Sequence, residues 1–137
     1  MGRLRKSTAL IGFYGDDLDP DEITRLLGME PTVGVVKGGT WATSLGAEKN
    51  AAIGSWRIKA GSCEPENLNA QIEALLAPLS QDFSVWRELC SRFRGVFFCG
   101  FWLNSYNDGI ELSPKVLSLI AERGLGLDLD IYESEKH

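Results

Sequence analysis

The sequence predicts an α+β fold, a ferredoxin-like α/β plait whose largely antiparallel sheet of four to five strands carries an αα-hairpin inserted between its halves. Three observations lead there. Strand-type and helix-type periodicity follow one another in the order β-α-β-β-αα-β-α-β. Two strand-to-helix units echo each other: Gly12-Phe13-Tyr14, Leu18-Asp19-Pro20 and Gly28 parallel Gly100-Phe101-Trp102, Leu112-Ser113-Pro114 and Gly124. The 137 residues, 44% hydrophobic and 24% charged, suit a single domain over 1–137 that buries a core without disulfides or a structural metal.

Each element has a local reason. Thr8 to Tyr14 is an apolar run bounded by Gly15-Asp16-Asp17 and reads as an interior strand. A helix follows, with Asp19 as N-cap, Pro20 at its first position, Glu22 placed to return a bond to the cap, and Gly28 as its end. Ile23, Leu26 and Leu27 form its buried stripe. Pro31 to Gly39 reads as loop, and Thr40–Leu45 with Ile53–Ala60 as a hairpin around the polar turn 46–50. Trp56, Ile58 and Ala60 alternate with Ser55, Arg57 and Lys59, which makes one face of that strand wet. Glu66–Leu79 and Asp82–Phe93 carry helical spacing and, parted by Pro78 and Ser80, form the αα-hairpin. Val96–Leu103 is apolar on both faces and belongs at the centre of the sheet or under a cover. Ser113-Pro114 starts a helix that turns Val116, Leu117, Leu119 and Ile120 inward and stops at Gly124. The last strand sends Leu127, Leu129 and Ile131 inward and Asp128, Asp130 and Tyr132 outward, and the tail from Glu133 to His137 is expected to fray.

Charge and cysteine usage narrow the function classes. With 14 Lys and Arg against 19 Asp and Glu, the net charge of -5 argues against a nucleic-acid binder, whose affinity comes from clustered cations. Cys63, Cys90 and Cys99 are odd in number and have no Cys-x-x-Cys spacing, which suits reduced thiols in a cytoplasmic, bacterial-style protein. Arg3, Arg5 and Lys6 precede an apolar run too short for a signal sequence, and no stretch reaches the ~20 apolar residues of a membrane span. The only histidine is His137, the last residue, so a Ser-His or Cys-His pair is poorly supplied. No cofactor motif is present, and Gly38-Gly39 lacks the residues of a phosphate loop.

Two places remain for a site. Strand alternation puts Leu10, Gly12 and Tyr14, Phe98, Gly100 and Trp102, Arg57 and Lys59, and Asp128, Asp130 and Tyr132 on one sheet face. There Gly12 and Gly100 either open a groove between aromatic walls or relieve crowding under the inserted helices. Trp41, beside the flexible Lys37-Gly38-Gly39, is the tryptophan most suited to recognition. The binding candidates are therefore Tyr14, Trp41, Arg57, Phe98, Trp102 and Tyr132. The second place is the acidic run Asp16, Asp17, Asp19, Asp21 and Glu22, which reads first as helix capping. A metal site of Asp16, Asp17 and Asn104 needs both turns at one sheet edge, and antiparallel inner strands put them at opposite ends.

The motif Gly15-Asp16-Asp17-Leu18-Asp19-Pro20-Asp21-Glu22-Ile23-Thr24, with Leu27-Gly28, Pro31-Thr32, Lys37-Gly38, Trp56, the 107–113 turn and the 125–132 ending, resembles the domain family of unknown function DUF4279. The resemblance covers almost the whole chain and implies a stand-alone bacterial α+β domain, with no established activity and no assigned site. The residues then point to a non-enzymatic module that binds a protein partner or a second copy of itself. Its acidity suits a basic partner such as a nuclease, as in immunity-type inhibitors. The competing reading is a small metal-dependent or ligand-binding enzyme built around Asp16 and Asp17.

Overall fold

The computed structural model describes residues 2–43 and 45–133. In chain order the first half runs β1 (Gly2–Arg3), β2 (Lys6–Gly15), α1 (Pro20–Leu27), β3 (Val33–Val35), β4 (Thr40–Ala42), β5 (Glu48–Asn50) and β6 (Gly54–Lys59). The second half runs α2 (Leu68–Leu76), α3 (Phe83–Arg92), β7 (Arg94–Trp102), β8 (Asp108–Gly109), α4 (Pro114–Glu122) and β9 (Gly126–Tyr132). The fold is mixed α+β, with four helices and a five-stranded, mostly antiparallel sheet in the order β3-β6-β2-β7-β9. Only β7 and β9 pair in parallel within it. No helix among the described residues is long and apolar enough to cross a membrane.

The helix ends form where their residues dictate. Asp19 accepts from the Asp21 N–H at 3.1 Å, Pro20 occupies the first turn, and Gly28 takes φ 87°, a left-handed conformation that costs glycine nothing. Ser113 caps α4 in the same way, through the Val116 N–H at 3.1 Å. Glu22 does not return to its cap. Its carboxylate takes the Arg92 guanidinium with two bonds, at 2.8 and 3.1 Å, and thereby ties α1 to α3.

All four helices pack on one face of the sheet. That face carries Ala9, Ile11 and Phe13 of β2, Trp56 and Ile58 of β6, and Phe97, Cys99 and Phe101 of β7, all in one buried cluster with Ile23, Ile72, Leu89 and Val116. Phe13 lies 6.2 Å from Trp56 and 6.0 Å from Trp86, so β2, β6 and α3 meet at one aromatic centre. α2 rests on β2 and α4, whereas α3 rests on β7 and α1. Arg123 is fully buried at the end of α4, stacked on Phe83 and Trp86 and donating to Leu119 O and Gln81 Oε1. A buried polar knot fixes α2 to β2: Ser7 Oγ donates to Gln71 Oε1 at 2.5 Å and accepts from Asn67 N–H at 3.1 Å, while Gln71 Nε2 donates to Ser7 O and Gly61 O.

Several local expectations fail. The stretch read as loop contains β3, which pairs with β6 through Val33↔Arg57 and Val35↔Ser55. The expected hairpin partners are exchanged: Thr40–Ala42 pairs with Glu48–Asn50, inside the supposed turn, and β6 pairs with β2 and β3 instead. β1 pairs in parallel with β8, a contact without local signature. Leu26 is 37% exposed and Leu117 47%, since each sits at the rim of its helix stripe. Leu129 (46%) and Ile131 (62%) point to the helix side as expected but stay exposed, because β9 is the edge strand and the helical layer does not reach over its second half. Residues 134–137, including His137 and most of the expected frayed tail, lie outside the described residues.

Two variants test this account. Ser7→Ala strands both Gln71 Oε1 and the Asn67 N–H, and a urea melt should show a loss of about 1–3 kcal/mol. Gly95→Ala puts a Cβ within 2.7 Å of Cys90 Sγ and 2.9 Å of Phe13, and should lose about 1–3 kcal/mol by overpacking. A neutral result at both positions contradicts the packing described.

Candidate functional site: the helix-free face of the sheet

The register places the candidate residues together. Across β6, β2, β7 and β9, Lys59, Leu10, Phe98 and Asp128 form one row. Arg57, Gly12 and Val96 form the next towards the β2 C-terminus, then Ser55, Tyr14 and Arg94. On the other side Thr8, Gly100 and Asp130 align, followed by Lys6, Trp102 and Tyr132. Tyr14, Arg57, Phe98, Trp102 and Tyr132 thus share the face opposite the helices. Trp41 joins them from β4, whose hairpin with β5 folds back so that the Arg57 guanidinium lies 4.5 Å from the Trp41 ring centre.

The two glycines do not open a groove. A Cβ on Gly12 would meet the Tyr14 hydroxyl at 2.5 Å, and one on Gly100 would meet the Trp102 ring at 3.3 Å and Thr8 Oγ1 at 2.8 Å. Each glycine is covered by the aromatic ring two residues further along its own strand, which lies down on the sheet where the side chain is missing. The echo between the two strand-helix units is therefore physical: Gly12 with Tyr14 and Gly100 with Trp102 make the same arrangement on antiparallel neighbours. It stops at the next strand. β9 pairs directly with β7, whereas β6 separates β3 from β2.

At one end of the face Trp102 stacks on Tyr132, with centroids 4.6 Å apart and planes 16° off parallel, and Lys6 Nζ lies 4.5 Å from the Trp102 ring centre. The Tyr132 hydroxyl donates to Asp130 Oδ2, and this bond to the carboxylate raises the phenol's pKa. In the middle Phe98 is 38% exposed and Arg94 pairs with Asp128 at 3.4 Å. At the other end burial raises the Tyr14 pKa, partly offset by the charges of Arg57 and Arg94. Lys6, Arg57, Lys59 and Arg94 outnumber Asp128 and Asp130, so this face is cationic on an acidic chain. Lys6 and Arg94 were the residues missed by the sequence reading. They stand at strand ends, but the period-two alternation that places Phe98 and Trp102 includes them too.

The acidic run behaves as a cap and a surface. Asp16 pairs with Lys37 at 3.5 Å, and Asp19 is the helix cap. Tyr14 aligns with Arg94 and Lys6 with Trp102, which puts Asp16 and Asp17 at one end of the β2/β7 pair and Asn104 at the other. Nine registered residue pairs, at about 3.4 Å per residue, separate them. No group of three or more His, Cys, Asp or Glu side chains suited to a metal ion exists among the described residues. Burial pushes the Cys90 thiol up to about 11 and the Cys99 thiol up to about 12, which keeps both protonated at neutral pH.

A family model described as "Domain of unknown function (DUF4279)" matches residues 5–134. No curated protein and no solved structure matches the chain.

Tyr14 supplies a test of the face. A phenol held above its ordinary 10.0 by burial is neutral in the folded state where the unfolded chain already ionises. Its stabilising contribution is intact below pH 10.0 and lost as pH rises through the folded value. In a Tyr132→Phe background, which removes the other raised phenol, absorbance titration should show a late-ionising tyrosine that disappears in Tyr14→Phe and moves back towards 10.0 in Gly12→Ala, whose new methyl displaces the ring. An unchanged titration in Gly12→Ala means that the ring does not lie on Gly12.

Proposed function

We propose that this chain, which belongs to the domain family of unknown function DUF4279, is a non-enzymatic binding module that holds a protein partner on the helix-free face of its sheet. The observation that carries this is the one-sidedness of the fold. Four helices use one face, and the other presents Phe98, Tyr132 and the Trp102 stack, large aromatics of the kind that dominate interface energetics. The strand order supports reading β2-α1-β3-β6-α2/α3-β7 as a ferredoxin-like plait in which α2 and α3 form the inserted helical pair, extended by α4 and β9.

Charge narrows the partner. The net charge of -5 favours basic proteins at long range, as for an immunity-type inhibitor, but contact is decided within a Debye length of about 8–10 Å. At that range the face offers Lys6, Arg57, Lys59 and Arg94, so the contacting groups of the partner are acidic and apolar. The high thiol pKa values of Cys90 and Cys99 and the separation of Asp16 and Asp17 from Asn104 support binding over catalysis.

Selection of peptides from a random displayed library against the full chain tests the reading. Peptides rich in acidic and aromatic or aliphatic residues should emerge, and Phe98→Asp, at a position already exposed, should weaken them by about tenfold or more while leaving the melting temperature nearly unchanged. Peptides that bind wild type and variant alike, or no enrichment over an unrelated domain, overturn it. Sedimentation of the same samples separates a foreign partner from a second copy: concentration-dependent dimerisation abolished by Phe98→Asp assigns the face to self-association and overturns the foreign-partner assignment.

A further inference from the structure

We infer that the cleft between the β4–β5 hairpin and the sheet is a binding site for an apolar monocarboxylate, with Arg57 and Lys59 receiving its head group and Trp41 and Leu10 its body. The cleft has a volume of about 430 Å³, within the ~300–1,000 Å³ of small-ligand sites, and Leu10, Thr32, Trp41, Thr43, Arg57 and Lys59 line it. It deepens the binding-face reading and rests on it, since Leu10, Arg57 and Lys59 belong to that face.

Its cations are unspent. No carboxylate pairs with Arg57 or Lys59 among the described residues. The Arg57 Nε is buried without a hydrogen-bond partner, a donor that folding removes from water and leaves unused. The Trp41 ring at 4.5 Å holds the guanidinium as a plate, and a plate held by its face leaves its edge for a planar oxyanion. A larger hollow of about 820 Å³ beside β1 and β8 has the opposite character, because its Arg3 already donates to Glu66 O and pairs with the Glu66 carboxylate. Two cations above an apolar floor fit one negative charge on a hydrocarbon body better than a dianionic phosphate, which asks for more donors. Such a carboxylate belongs either to a free acid or to the C-terminus of an apolar peptide.

The test follows the Trp41 indole N–H resonance of the full chain during titration with phenylacetate, its neutral amide, an acetylated leucine-terminated tripeptide with free or amidated C-terminus, and inorganic phosphate. Phenylacetate, the free tripeptide or both should saturate the shift, with the matching amide about tenfold weaker or worse. The stronger of the two identifies the source as free acid or chain terminus. Arg57→Gln and, at the more exposed position, Lys59→Gln should each weaken binding read from this resonance, and Trp41→Ala, followed by titration calorimetry because it lacks the indole, should weaken acid and amide alike. Amides that bind as well as acids, phosphate that competes at equal concentration, or no saturable shift below about 10 mM overturn the inference. If library peptides still bind in a Phe98-dependent way after that result, the carboxylate site has failed alone. If they do not, the binding face has failed with it.

Discussion

Phe13 is the point on which the rest of the molecule turns. Its ring sits between Trp56 and Trp86 and joins the central strand, its neighbour and α3 in one contact group. Both tryptophans also have their indole N–H satisfied, Trp56 by Thr24 Oγ1 and Trp86 by Ser80 O, so the cluster reaches α1 and the turn before α3 as well. Large rings with fixed polar ends tolerate few arrangements. Once they are placed, the helices are committed to one side of the sheet. The other side must then be finished by side chains alone.

How it is finished differs at its two ends. Near β9 the finish is aromatic stacking, Tyr132 on Trp102 with Lys6 beyond it. Near β3 it is a fold of the chain, with the β4–β5 hairpin returning over β6 so that Trp41 caps Arg57. Between them Tyr14 and Trp102 lie on glycines of their own strands. These solutions shield the sheet without a second layer of helices, and they leave cations at the surface with fewer acids than the whole chain would suggest.

Much of this was legible in the residues, for reasons that differ by element. α1 and α4 announce themselves because caps are local chemistry: Asp19-Pro20 with Gly28, and Ser113-Pro114. The membership of the open face was legible because side-chain alternation is fixed by strand geometry, so Tyr14, Arg57, Phe98, Trp102 and Tyr132 could be grouped without knowing which strands pair. What was hidden is non-local. Val33-Gly34-Val35 is three residues long and becomes a strand only because β6 has a free edge, and the same edge takes Ile53–Ala60 away from the hairpin expected for it. Glu22 could have closed its own capping box, and the arrival of Arg92, seventy residues on, decides otherwise. Trp41 stands out in the sequence for the Gly38-Gly39 pair beside it, and its role as a plate against Arg57 depends on a fold-back that the local sequence does not encode. The cover over Leu129 and Ile131 was overestimated because alternation tells which way a side chain points and not whether anything waits there.

The exposed half of β9 leaves the sheet with an open edge. Tyr132 O accepts from Leu103 N–H at 3.0 Å, so the peptide groups of Gly126, Asp128, Asp130 and Tyr132 face β7, and by the parity of a strand those of Leu127, Leu129 and Ile131 face outward. An outward ladder beside two exposed aliphatic side chains is a template for another strand. Asp130 stands between those aliphatics, and Asp128, held by Arg94, stands just before them. An arriving strand must therefore seat itself against these carboxylates, which guard the edge where the helices leave it bare.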